Sequence, residues 1–89
     1  MDDLTPRQVQ ILKTLIEEYT ETAEPIGSDT LEHKYNLGVS PATIRSEMAH
    51  LTTAGYLRQP HTSSGRIPTS RALRFYVGQL MQEQKLSMA

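Results

Sequence analysis

Cysteine is absent from these 89 residues, so neither disulfides nor thiolate metal ligands hold the fold together. The three histidines, His33, His50 and His61, fall on separate segments without HxH or HxxxH spacing. They read as polar surface residues rather than metal ligands. No glycine-rich phosphate loop and no serine nucleophile elbow appears, so no enzyme is expected, and no catalytic residue, cofactor or metal is assigned. No apolar run approaches membrane-spanning length and no basic-then-apolar leader opens the chain. The expected location is therefore cytoplasmic, with no membrane partner. Positive charge is not in excess either: the net charge is −1, which taken alone argues weakly against a nucleic-acid partner.

Apolar residues make up 37% of the chain, enough for one modest core, and the expectation is a single domain over 1–89. The charge is unevenly placed. Through His33 there are eight acids against two bases, whereas from Lys34 onward there are seven bases against two acids. That asymmetry suggests one face turned toward an anionic partner and an acidic face turned away.

Thr5-Pro6, with Gln8 three residues after the threonine, has the form of a capping box opening a helix. Val9, Leu12, Ile16 and Tyr19 follow at helical spacing, and Ile11 and Leu15 widen the stripe so that it meets more than one neighbour. Glu24-Pro25 ends this helix near Ala23. Ser28 is expected to cap a short second helix running to about Tyr35, and Asn36-Leu37-Gly38 to stop it with residues that tolerate positive φ. Ser40-Pro41 repeats the cap-then-proline start for a third helix reaching about Ala54, where Gly55 ends it. Residues 28–54 thus form a helix-turn-helix pattern.

Residues 56–68 read as a short edge hairpin, Tyr56–Gln59 returning through Arg66-Ile67, because Pro60 and Pro68 cannot both sit inside a sheet. Thr69 or Ser70 then caps a fourth helix over about 70–84. The expected fold is mainly α with a small β-hairpin: a winged helix-turn-helix with a three-helix core, a wing and an additional C-terminal helix. On that last helix Leu73, Tyr76, Val77 and Leu80 share one face, and Phe75 lies about 160° from Leu73 and Val77. The expectation is that Phe75 docks on Ile11 and Leu15 of the first helix or on a partner subunit.

On the third helix Ile44, Met48 and Leu51 share the face that belongs to the core. The opposite face carries only small residues, Ala42, Ser46, Ala49 and Thr53, flanked by Arg45 and Thr52 on one side and by Thr43 and His50 on the other. Small side chains let a helix lie deep in a major groove. There Arg45 can donate two bonds to a guanine, and the methyl groups of Ala42 or Thr43 can meet that of a thymine. The helix starts at Ser28 and at Ser40-Pro41 aim backbone N–H groups at nearby phosphates. In the wing, His61, Thr62, Ser63, Ser64 and Arg66 place hydroxyls and charge on a protruding turn, with Gly65 permitting close approach to a backbone or minor groove. The candidate DNA-binding residues are therefore Ser28, Ser40, Pro41, Ala42, Thr43, Arg45, Ser46, His50, His61, Thr62, Ser63, Ser64, Gly65 and Arg66.

Four stretches carry a resemblance: Leu4-Thr5-Pro6-Arg7-Gln8, Glu24-Pro25-Ile26-Gly27-Ser28, Ser40-Pro41-Ala42-Thr43-Ile44-Arg45, and Gln59 through Thr69. Together they resemble the N-terminal domain of the heat-inducible transcription repressor family, HrcA, from about Leu4 to Leu80. The resemblance implies a sequence-specific repressor of heat-shock and chaperone genes. It implies binding to double-stranded DNA at an inverted-repeat operator as a homodimer, with a chaperonin favouring the active form. Where the family has asparagine and then an acid after the arginine, this chain has Ser46-Glu47. Family members also continue into a ligand-sensor-like domain and a dimerisation segment. Two alternatives stand beside this reading. One is a DeoR-type regulator, whose helix motif is similar. The other is a winged helix used as a protein-interaction module, against which Arg45, Arg58 and Arg66 in the third helix and wing argue.

Overall fold

The computed structural model describes residues 4–88, with side chains through residue 84. Asp2, Asp3 and the side chain of Lys85, counted above in the charge asymmetry, lie outside the described residues. The elements run α1 (Pro6–Thr22), α2 (Ser28–Lys34), α3 (Pro41–Thr53), β1 (Leu57–Arg58), β2 (Ile67–Pro68) and α4 (Ser70–Met88).

The start of α1 is the expected capping box. The Gln8 amide donates to Thr5 Oγ1 at 3.1 Å, and the Thr5 amide donates to Gln8 Oε1 at 3.0 Å. Ile11, Leu12, Leu15 and Ile16 are all fully buried, so α1 is the central helix of the core, touching α3, α4 and β2. Ile11 and Leu15 are therefore not surplus residues awaiting a partner. At the other end of the helix Ala23 takes up φ 56°, a left-handed cap made by a non-glycine residue, and its amide bonds the Tyr19 carbonyl.

The second helix begins differently from expectation. Gly27, not Ser28, is the N-cap, and no side chain accepts a bond there; Ser28 is the first helical residue. Its far end is tied to α1. Glu18, 3% exposed, accepts from Lys34 Nζ at 3.1 and 3.0 Å and from the Tyr35 hydroxyl at 2.8 Å. Tyr35 itself is extended, so the helix stops at Lys34 and the left-handed residue comes later, at Gly38 (φ 73°).

The Lys34 ammonium, and after it the Tyr35 hydroxyl, hold the Glu18 carboxyl below its ordinary value of 4.5. A carboxylate depressed in the folded state contributes stability that is complete above about 4.5 and is lost as pH falls through the lower folded value. Glu18→Gln is therefore expected to be less stable than the parent at pH 7, with the difference closing as acid is added. Melting temperatures from pH 7 to pH 2 check this; a gap that stays constant would show that the carboxylate charge contributes nothing.

Ser40 caps α3 as expected, its Oγ accepting from the Thr43 amide at 3.2 Å, and Ile44, Met48 and Leu51 enter the core. The helix closes with a Schellman arrangement. The Tyr56 amide reaches the Leu51 carbonyl (2.9 Å) and the Gly55 amide the Thr52 carbonyl (3.1 Å). Gly55 supplies the left-handed φ of 86° that this closure needs. Tyr56, buried beside Leu51, then leads directly into β1.

The hairpin is shorter than expected. It pairs Leu57 with Pro68 and Arg58 with Ile67, so the return strand is displaced one residue from the expected Arg66-Ile67. Arg66 instead forms an antiparallel bridge with Ile26, the two amides and carbonyls exchanging bonds of 2.8 Å. The linker between α1 and α2 thus acts as a third, one-residue strand.

The largest departure is the face of α4. Thr69 is its cap, accepting from the Ala72 amide. Ala72 is fully buried and Phe75 and Tyr76 pack on the core, whereas Leu73, Val77, Leu80 and Met81 are 45, 54, 42 and 66% exposed. Phe75 therefore packs on this chain's own core. It meets the Tyr56 ring edge-on, with centroids 6.0 Å apart and planes at 74°, a favoured aromatic geometry. The small Ala72 lets the helix come close enough for that contact. Lys13–Glu83 (2.7 Å) and Tyr76–Glu17 (3.2 Å) tie the same side of α4 to α1.

Candidate nucleic-acid interface

Along α3, Ala42, Ser46, Ala49 and Thr53 are all exposed and form an unbroken ridge of small side chains. Arg45 is exposed on one flank. On that same flank Thr52 turns toward the wing, and its Oγ1 accepts from Arg66 Nε at 3.2 Å. Between α2, α3 and the wing runs a crevice of about 180 Å³ lined by Ser28, Arg45, Met48, Ser64 and Arg66. The fold thus gathers into one cleft four of the residues that the sequence pointed to separately, with Met48 forming its floor.

Other candidates lie elsewhere or are already engaged. His50 is on the opposite flank of α3, where its Nδ1 is 3.5 Å from Glu47 Oε1, and it borders a second cleft with Leu4, Gln8 and Arg71. Glu47 is held there by Gln8 Nε2 at 3.1 Å. The hydroxyls of Ser40 and Thr43 bond each other at 3.0 Å beside the exposed Pro41. At the wing tip His61 and Thr62 are exposed. Ser63 is turned inward, its Oγ accepting from the Gly65 amide and its carbonyl from Gln59 Nε2.

Gly65 plays a different part from the one expected of it. It is buried, and a Cβ placed on it would stand 2.9 Å from the Pro25 carbonyl carbon and 3.0 Å from the Ile26 nitrogen. The close approach that the glycine allows is to the α1–α2 linker, not to an outside ligand. Arg66 likewise sits at the foot of the wing rather than on its protruding tip. Its Nη1 donates to the Ser64 carbonyl at 2.8 Å, and its Nε reaches Thr52. Sequence reasoning missed Ile26, Thr52 and Gln59 as the seat of the wing. The available signal was Ile26 itself, a lone β-branched residue between Pro25 and Gly27.

Among the described residues no group of three or more His, Asp or Glu side chains is placed to hold a metal ion, and no helix is long and apolar enough to cross a membrane. A helix-turn-helix whose outer helix presents small side chains, with a hairpin seated beside it, is the arrangement of a winged-helix DNA-binding domain. Residues 3–82 match the family model described as winged helix-turn-helix transcription repressor, HrcA DNA-binding, and the chain belongs to that family. It is 55% identical over 84 residues to the heat-inducible transcription repressor HrcA of Pelotomaculum thermopropionicum, covering 94% of this chain and 24% of that protein. The corresponding repressor of Clostridium perfringens is 56% identical over 81 residues, with 91% and 24% covered. A solved crystal structure described as a hypothetical protein superposes with a TM-score of 0.85 at 42% identity, over 89% of this chain and 25% of the other. The chain thus spans about a quarter of the length of these relatives.

Proposed function

We propose that this chain is the operator-reading part of a heat-inducible repressor, acting in the cytoplasm on the control regions of chaperone genes. The ridge of α3 enters a major groove, Arg45 reads a guanine edge, and the starts of α2 and α3 face the flanking phosphates. The exposed wing tip at His61, Thr62 and Ser64 lies over the adjacent backbone. An inverted-repeat operator is read by two copies, one per half-site, and a chaperonin favours the active form of the longer repressor. The observation that carries the reading is the uninterrupted small-residue ridge of α3 opening into the crevice that Arg45 shares with Ser28 and Ser64. Family membership supports it over a DeoR-type regulator and over a protein-interaction module.

Titration of an operator duplex and a random duplex at low and high salt tests the reading, since phosphate neutralisation makes both affinities fall steeply with salt. Arg45→Ala is expected to weaken operator binding by about 1–3 kcal/mol, roughly five- to 150-fold, and to relax the preference at one base pair. Equal losses on both duplexes would reduce Arg45 to a phosphate contact. No binding of the unaltered chain to either duplex would overturn the reading.

A further inference from the structure

Arg66 is the basic residue nearest the wing tip, and a wing arginine invites assignment as a contact to phosphate or minor groove. Its surroundings argue otherwise. Its backbone is locked to Ile26 by two bonds of 2.8 Å. Its guanidinium is turned back onto the protein. Nη1 donates to the Ser64 carbonyl at 2.8 Å and reaches the Gly65 carbonyl at 3.5 Å, while Nε donates to Thr52 Oγ1 at 3.2 Å. Thr52 is itself oriented, because its hydroxyl donates to the Met48 carbonyl at 2.8 Å. The residue therefore links three parts of the molecule: its backbone holds the α1–α2 linker, and its side chain joins the outer side of α3 to the foot of the wing.

We propose that Arg66 is a positioning residue that sets the angle between wing and α3, and that it does not itself neutralise a phosphate. The inference rests on the DNA-reading function proposed above. A wing held at its bound angle in the free protein loses less conformational freedom on binding, which raises affinity without a further charge contact. The planar fork of the guanidinium is what allows one side chain to serve Thr52 and Ser64 together. A lysine ammonium keeps the charge but not that geometry.

The test has one arm without DNA and one with it. Without DNA, Arg66→Ala is expected to speed hydrogen exchange at the amides of Ile26, Gly65 and position 66, each hydrogen-bonded in the parent, while the amides of α1 and α3 are unchanged. Unchanged exchange at all three positions would overturn the proposal whether or not the chain binds DNA, so its failure is separable from failure of the DNA reading. With operator duplex, Arg66→Ala should lower affinity roughly five- to thirtyfold with the same dependence on salt. Arg66→Lys should lose about as much. A salt slope reduced by about one unit, together with recovery in Arg66→Lys, would identify a phosphate contact and overturn the proposal. Thr52→Val removes the hydroxyl at nearly constant volume and keeps the idea testable should Arg66→Ala not fold. It should loosen the same wing amides, and in a folded double variant its effect should not add to that of Arg66→Ala. Fully additive losses would show that the two side chains act apart.

Discussion

Tyr56→Ala is expected to lose about 3–5 kcal/mol of folding stability, the range for removing a buried aromatic ring. For a chain of 89 residues the whole stability is about 4–13 kcal/mol, so a parent at the lower end of that range would be left largely unfolded. The effect is large because the ring serves two neighbours at once. It is 1% exposed, receives the edge of Phe75 and carries the Arg71 guanidinium 4.4 Å above its centroid. Arg71 in turn donates to the Ala54 carbonyl at the end of α3, at 2.9 Å. Removing the ring therefore loosens α4 and the C-terminus of α3 together. Urea denaturation followed by far-UV circular dichroism measures it, with Tyr56→Phe as the partner variant that keeps the ring. A midpoint for Tyr56→Ala close to that of Tyr56→Phe would show that the aromatic contact is not what holds α4.

Gly65→Ala should destabilise the chain by about 1–3 kcal/mol, the usual cost of forcing an extra methyl into a packed site. The atoms it meets, the Pro25 carbonyl carbon and the Ile26 nitrogen, are backbone and cannot rotate aside. The wing has to move, and the Ile26–Arg66 bridge has to stretch with it. Affinity should fall on operator and random duplex alike, because the wing is displaced without any base contact being lost. Gly78→Ala is the control, since nothing lies within 4 Å of a Cβ there. It should be neutral or slightly stabilising. Stability of Gly65→Ala within about 0.5 kcal/mol of the parent, the scatter typical of bland surface changes, would mean that the seat yields easily.

Features set by neighbours in the chain could be read from the sequence. Thr5 with Gln8, Ser40 with Pro41, and Gly55 each act over three or four residues, and the structure has each cap as read. The two faces of α3 were equally legible, because the contrast between Ile44, Met48, Leu51 and the small residues opposite is local and complete. What failed depended on contacts distant in sequence. Leu73, Val77 and Leu80 have flawless helical spacing, yet the core took Ala72, Phe75 and Tyr76, because Tyr56 offers an aromatic ring that periodicity does not record. The sequence pattern places Gly65 and Arg66 in an outward turn, because their partners Pro25, Ile26 and Thr52 lie 14 to 40 residues earlier. Ser28 was misjudged for a smaller reason, since the adjacent Gly27 suits a helix N-cap too and leaves Ser28 inside the first turn.

The bridge between Ile26 and Arg66 has a mechanical consequence. Ser28 follows Ile26 by two residues, so the start of α2 and the foot of the wing are jaws of one caliper whose gap is set before any duplex arrives. A caliper of fixed opening does not adjust to its object. On the DNA-reading function proposed above, a duplex whose groove width already matches would be gripped without deformation, and one that does not would have to bend or twist to fit, at an energy that depends on its own sequence. Bases that no side chain touches, lying between the jaws, would then influence binding through the stiffness of the DNA they build.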